Sequence, residues 1–219
     1  MAMVEDVKEF WNQVDGKKGF EKKFVKPDCI VLDSEYCSMG RMIALKACEK
    51  SGYTYYDAGI LLDVLREQEL KKQDILTYDM VLAETEKNPR ELSEDIEFKT
   101  ISDQYNEAIK LALSKGPCLI HERGIKEMIE AQGYSCMSVF MYATNQESKR
   151  ERAKISPLYV NLNTAEELDE AIKKEDKKRS MYHNALSNFS WGEKETYDVC
   201  LNTEYLGIDE SIHIMLSFM

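Results

Sequence analysis

The sequence predicts a three-layer α/β/α protein built on a five-stranded parallel sheet. Five short, nearly continuous apolar runs recur along the chain: Cys29–Leu32, Tyr53–Tyr56, Cys118–Ile120, Met137–Tyr142 and Val199–Leu201. Such runs are expected of strands buried on both faces. Longer segments with helical spacing separate them, and strands that alternate with helices pair in parallel through right-handed crossovers. Each run also ends in a polar cluster. In an open parallel sheet the carboxyl ends of the strands share one edge, and ligands bind there.

The elements follow in order. Val4, Val7, Phe10, Trp11 and Val14 share a helical face, so residues 1–26 read as an N-terminal helix and linker ahead of a domain spanning 27–219. The first strand leads through Asp33–Gly40 into a helix, Arg41–Lys50, which stops at Ser51-Gly52. The second strand ends in Asp57-Ala58-Gly59. A long helical region starts at Ile60 and breaks near Asn88-Pro89. Residues 60–100 include its most charged and least periodic part, which is expected to be mobile or to cap the site. Ile101, Tyr105, Ile109 and Ala112 mark one side of a helix that ends before Gly116-Pro117. After the third strand come His121-Glu122-Arg123-Gly124 and a helix over Ile125–Ala131. The fourth strand precedes a polar stretch, Gln146–Asn163, and a long charged helix, Thr164–Leu186. The fifth strand and a helix near Ile208–Leu216 close the chain.

Bulk properties narrow the function classes. At 219 residues with 43% hydrophobic and 32% charged content, the chain can bury a substantial core. Its formal charge is 29 − 40 = −11, which gives no global field to draw nucleic acid or an anionic membrane. No run reaches the roughly 18 apolar residues of a membrane span. The start lacks the basic and apolar regions of a signal peptide, so a cytosolic location is expected. Six dispersed cysteines without a C-x-x-C pair read as reduced core residues. They and three scattered histidines show no metal-ligand spacing, so no Cys/His metal site is expected. His121, after an apolar strand, reads as a satisfied core histidine.

Positive charge for a polyanion must therefore be local. A strand, a loop and a helix N-terminus form a phosphate cradle when free amides and the helix dipole point at the anion. Against the phosphate-loop pattern G-x-x-x-x-G-K-[ST], Gly40-Arg41 stands for Gly-Lys, Glu35 for the first glycine, and Met42 for the magnesium-binding hydroxyl. Taken alone, the segment equally fits an ordinary strand-helix turn.

The segments in series carry more: Glu35-Tyr36-Cys37-Ser38-Met39-Gly40-Arg41, Tyr55-Tyr56-Asp57 and Glu122-Arg123-Gly124 after the first three strands, Arg150 and Arg152 after the fourth, Asp176 and Arg179 on the charged helix, then Trp191 with Tyr197-Asp198 and Asn202-Thr203 framing the last strand. In this order they resemble the cytidylate kinase-like family of nucleoside-monophosphate kinases. Its members show S-R-E-[YF]-G-S-G-G-R-x-I-A, Y-Y-D, G-R-G, an R-x-x-R-like lid, D-x-x-R and W-x-x-x-x-x-Y-D-x-x-x-N-T. The likeness runs from about Ile30 to Met215.

The resemblance implies a P-loop kinase-like fold that moves a phosphoryl group from ATP, with Mg²⁺, to a nucleotide such as CMP or to another small acceptor. It places Ser38, Met39, Gly40 and Arg41 on the donor phosphates. Asp57, Arg123, Asp176 and Arg179 fall on the acceptor, and Arg41, Arg150 and Arg152 at the transferring group. Residues 145–163 become a lid-like segment. Five of the chain's seven arginines then handle phosphate, where a planar fork suits. Plain readings stay open beside these. Arg150 and Arg152 could be solvated charges, and Asp176 with Arg179 a surface ion pair. Trp191 and Asn202 read as structural.

The chain departs from the pattern at its glycines: G-S-G-G is Cys37-Ser38-Met39-Gly40, G-R-G is Glu122-Arg123-Gly124, and S-R is Asp33-Ser34. Two functions are therefore expected to compete, a nucleotide phosphotransferase and a catalytically silent descendant that binds a nucleotide or a protein through the same cleft. The sequence leaves a homodimer open.

Overall fold

The computed structural model describes residues 24–65, 72–122, 125–156, 159 and 161–219. The expected N-terminal helix and Arg123 lie outside the described residues.

Five strands form one parallel sheet: β1 (Cys29–Ser34), β2 (Thr54–Tyr56), β3 (Cys118–His121), β4 (Cys136–Tyr142) and β5 (Val199–Asn202), in the order β2-β3-β1-β4-β5. Both faces are covered, as predicted. In β1, alternate side chains serve opposite layers. Ile30 and Leu32 pack with Ile43, Ala44 and Ala47 of α1 (Gly40–Ser51) and with Ile212 and Met215 of α9 (Thr203–Phe218). Cys29 and Val31 join the other core. That core holds Leu61 and Leu62 of α2 (Ala58–Leu62), Phe98, Ile101 and Tyr105 of α5 (Ile96–Leu113), and Tyr182 of α8 (Ala165–Leu186).

Several elements outrun their sequence patterns for identifiable reasons. The first strand continues two residues past Leu32, because Asp33 and Ser34 pair with Phe140 and Met141 of β4. Asp33 survives burial by accepting the Tyr197 hydroxyl at 2.9 Å. Region 60–100 is not one helix. Its described part holds α2, α3 (Lys72–Val81), a 3-10 turn at Leu82–Glu84, and α4 (Pro89–Glu94), where Asn88 forms a capping box with Glu91 and Pro89 opens the helix. The next helix starts five residues before Ile101, where the Asp95 carboxylate accepts the Phe98 amide at 3.0 Å. The helices α6 (Lys126–Ala131) and α7 (Gln146–Lys154) complete the set among the described residues. The last helix begins at Thr203 because Asn202 caps it, and Gly207, at φ 75°, kinks it just before the predicted start.

No helix among the described residues is long and apolar enough to cross a membrane.

Candidate active site

The carboxyl ends of β1, β2 and β3 open into a cleft of about 870 Å³. Its lining includes Glu35, Met39, Gly40, Arg41, Asp57, Glu122, Arg152 and Arg179. The loop from Glu35 to Gly40 sets its shape. Cys37 and Met39 adopt left-handed backbone, with φ of 63° and 68°. The third described non-glycine residue in that region is Glu122, at φ 64°. All three stand where the sequence pattern calls for glycine. Non-glycine side chains thus sit on a glycine-type backbone path, at a cost of about 1–2 kcal/mol per residue.

That path persists because surrounding elements dictate it. The Glu35 amide donates to Met141 O at 2.9 Å, and the Glu35 carboxylate accepts the Ala143 amide at 3.1 Å. The Tyr36 amide donates to Asp176 Oδ1 at 2.5 Å. Arg152 Nη1 donates to Cys37 O at 2.9 Å, and Thr203 Oγ1 to Ser38 O at 2.6 Å. Gly40 cannot change, since a Cβ there would stand 2.6 Å from Ser34 Cβ. The first turn of α1 then faces the cleft with no side-chain cap and no acidic residue, a helix end suited to an anion.

The expected site residues divide by position. Met39, Gly40, Arg41, Asp57, Arg152 and Arg179 line the cleft, and Ser38 is fully buried within its loop. Arg41 pairs with Asp57 at 2.7 Å, and Asp57 also caps α2 through the Ile60 amide at 3.0 Å. Arg179 donates to Ser34 O at 2.7 Å, pairs with Glu122 Oε1 at 2.9 Å and lies over the Tyr36 ring. Asp176 points at the loop backbone and not at open space. Its burial outweighs its bonds to the Tyr36 amide and Lys149 and pushes its pKa up to about 6. Arg150 is not among the lining residues; its guanidinium is bidentate on Asp169, at 2.8 and 2.7 Å.

Lys149, the neighbour of Arg150, is not among the lining residues either, but it holds the loop from behind. It is buried, 3.1 Å from Glu35 Oε2 and 3.6 Å from Asp176 Oδ2, so it ties α7 and α8 to the loop. The signal was spacing: Lys149 and Arg152 are three residues apart and share a helical face, whereas Arg150 and Arg152 do not. His121 is a satisfied core residue, with Ser34 Oγ 3.1 Å from one ring nitrogen and the Tyr55 hydroxyl 3.0 Å from the other.

The sequence profile of the cytidylate kinase-like family matches residues 29–205. The chain belongs to the cytidylate kinase-like family. No protein of curated function matches it. Among solved structures, an uncharacterised protein from Eubacterium ventriosum ATCC 27560 aligns with TM-score 0.63 and 19% identity, over 87% of this chain and 97% of that one. A shikimate kinase from Bacteroides thetaiotaomicron aligns with TM-score 0.51 and 11% identity, over 87% and 97%. At these identities the likeness shows the fold, that of P-loop kinases.

The residues of this cytidylate kinase-like chain fit a nucleotide's phosphates better than they fit Mg²⁺. For the phosphates there are the uncapped turn of α1, Arg41 and Arg152 at the cleft wall, and Ser38 Oγ, which is buried without a hydrogen-bond partner. For the metal, Met42 stands where the phosphate-loop pattern has a hydroxyl, and a thioether is a poor ligand for a hard cation. No group of three His, Cys, Asp or Glu among the described residues could hold a metal ion. A bound Mg²⁺ would thus depend on the phosphates and water for its ligands.

Proposed function

We propose that the chain is a phosphotransferase that takes the γ-phosphoryl group of ATP and delivers it to a small acceptor, a nucleotide such as CMP or another compound of similar size. One observation carries this reading: a glycine-type loop, rebuilt from non-glycine residues, opens an uncapped helix N-terminus onto a cleft that also gathers Arg41, Arg152 and Arg179. So costly a backbone is expected where it serves a ligand.

In this reading the triphosphate lies against the first turn of α1. Arg152 anchors the lid helix α7 to the loop through Cys37 O, and residues 145–163 close over the transferring group and exclude water. Residues 60–100 cap the acceptor side; Asp79, Met80 and Leu82 face Glu122 and Arg179 across a cavity of about 110 Å³. The acceptor lies between the Arg41–Asp57 pair and Arg179. An acceptor oxygen bonds to the γ-phosphorus as its bond to the bridging oxygen breaks, and ADP leaves. The protein's part is alignment and charge compensation.

A second reading is a silent nucleotide binder, favoured by Met42 at the metal-ligand position and by the carboxylates already on Arg41 and Arg179. Thermal shift with ATP, then a coupled ADP-release assay over an acceptor panel, separates the two. The first reading expects a raised melting temperature and acceptor-dependent ADP release. A shift without turnover selects the silent binder, and no shift at millimolar ATP rules out both.

A further inference from the structure

Glu122 stands where the family pattern has glycine, at the end of β3, in left-handed backbone that favours glycine. Its side chain is folded into the acceptor side of the cleft and is 15% exposed. Three groups converge on the single oxygen Oε1: Ser34 Oγ donates at 3.0 Å, His121 Nε2 lies at 3.0 Å and Arg179 Nη1 at 2.9 Å. The Tyr55 hydroxyl, 3.0 Å from the other ring nitrogen, steadies His121. A guanidinium, a hydroxyl and an imidazole around one oxygen form a seat for an anion. Here the chain's own carboxylate fills it.

We infer that Glu122 is an internal anion that closes the acceptor-phosphate seat, so that the acceptor is a hydroxyl compound without a phosphate group. The inference rests on the phosphotransferase reading and narrows its acceptor. A monophosphate could reach Arg179 only by expelling Glu122 or by lying against it, like charge against like charge. The surrounding wall agrees, since Asp57 and Glu175 also line the cleft. A hydroxyl group instead donates a hydrogen bond to such a wall. On transfer, its oxygen bonds to the γ-phosphorus as the bond from that phosphorus to the bridging oxygen breaks, ADP leaves, and the hydroxyl proton passes to one of these carboxylates.

The test is CMP binding, measured by titration calorimetry on the native chain, E122G and E122Q. Native protein should bind CMP at best in the millimolar range. Both variants should bind it at least about tenfold more tightly, a gain of about 1.4 kcal/mol, and R179A added to E122G should abolish the gain. E122Q keeps the side chain's size, so a folding defect in one variant leaves the other to decide. CMP binding to native protein as tight as to both variants overturns the inference, as does no gain in either. ATP titrated into native protein is read separately. Its failure to bind would remove the phosphotransferase reading, whereas tight CMP binding beside normal ATP binding would remove only this one.

Discussion

Single residues decide how the phosphate loop holds its shape. Met39 adopts a backbone that glycine tolerates and side chains resist, so the usual order of substitutions should invert. At an ordinary helix position alanine is more stable than glycine by about 0.5–1 kcal/mol. Here M39G should exceed M39A by about 1 kcal/mol in urea unfolding, since both lose the same side chain and only alanine keeps the strain. Asp176 gives a prediction in pH. Its folded pKa of about 6 lies above its ordinary value of 3.8 because burial disfavours its charge. Between those values the folded state holds more protons than the unfolded one, so this group's contribution to stability falls as pH rises and is fully lost above about 6. D176N keeps an oxygen for the Tyr36 amide and carries no charge. Its stability relative to native protein should therefore climb by about 2 kcal/mol between pH 4 and 7, measured by unfolding at matched pH. A flat difference would contradict the burial argument.

At the scale of elements, the helices α7 and α8 act on the loop together through one buried ammonium. Lys149 faces Glu35 and Asp176, with 8% of its own side chain exposed. Removing it strands two carboxylates. K149M should cost about 3 kcal/mol in stability and weaken ATP binding through a loosened loop, whereas K149R should keep most of both. R150A, on the other side of the same helix, should leave ATP affinity nearly unchanged, because Arg150 serves Asp169 and Glu147.

This contrast also shows what the sequence discloses. Short apolar runs locate all five strands, since a strand buried on both faces leaves no other pattern. The polar segments after the first two strands then point to Gly40, Arg41 and Asp57 at one edge, and the family resemblance adds Arg179 from the long charged helix. Partners distant in sequence are not legible. Tyr36 and Asp176 are 140 residues apart, and nothing local marks Asp176 as a tether of the loop. Nor does the sequence show that Glu122 turns inward onto Arg179, because a glutamate at a glycine position reads only as a loss.

Across the whole molecule, a chain of net charge −11 sets Arg41, Arg152 and Arg179 at one rim of the sheet, beside a helix end without a cap. Each guanidinium is within 3.0 Å of a carboxylate. Overall charge repels polyanions at a distance, so any nucleotide affinity depends on this short-range geometry, which screening weakens less than a long-range field. The most direct test follows backbone amide signals by ¹⁵N NMR while ATP is added to native protein. Gly40, Arg41 and Met42 should shift first and most, together with the Arg152 guanidinium. Shifts confined to another surface, or none at millimolar ATP, would rule out a phosphate site at the first turn of α1.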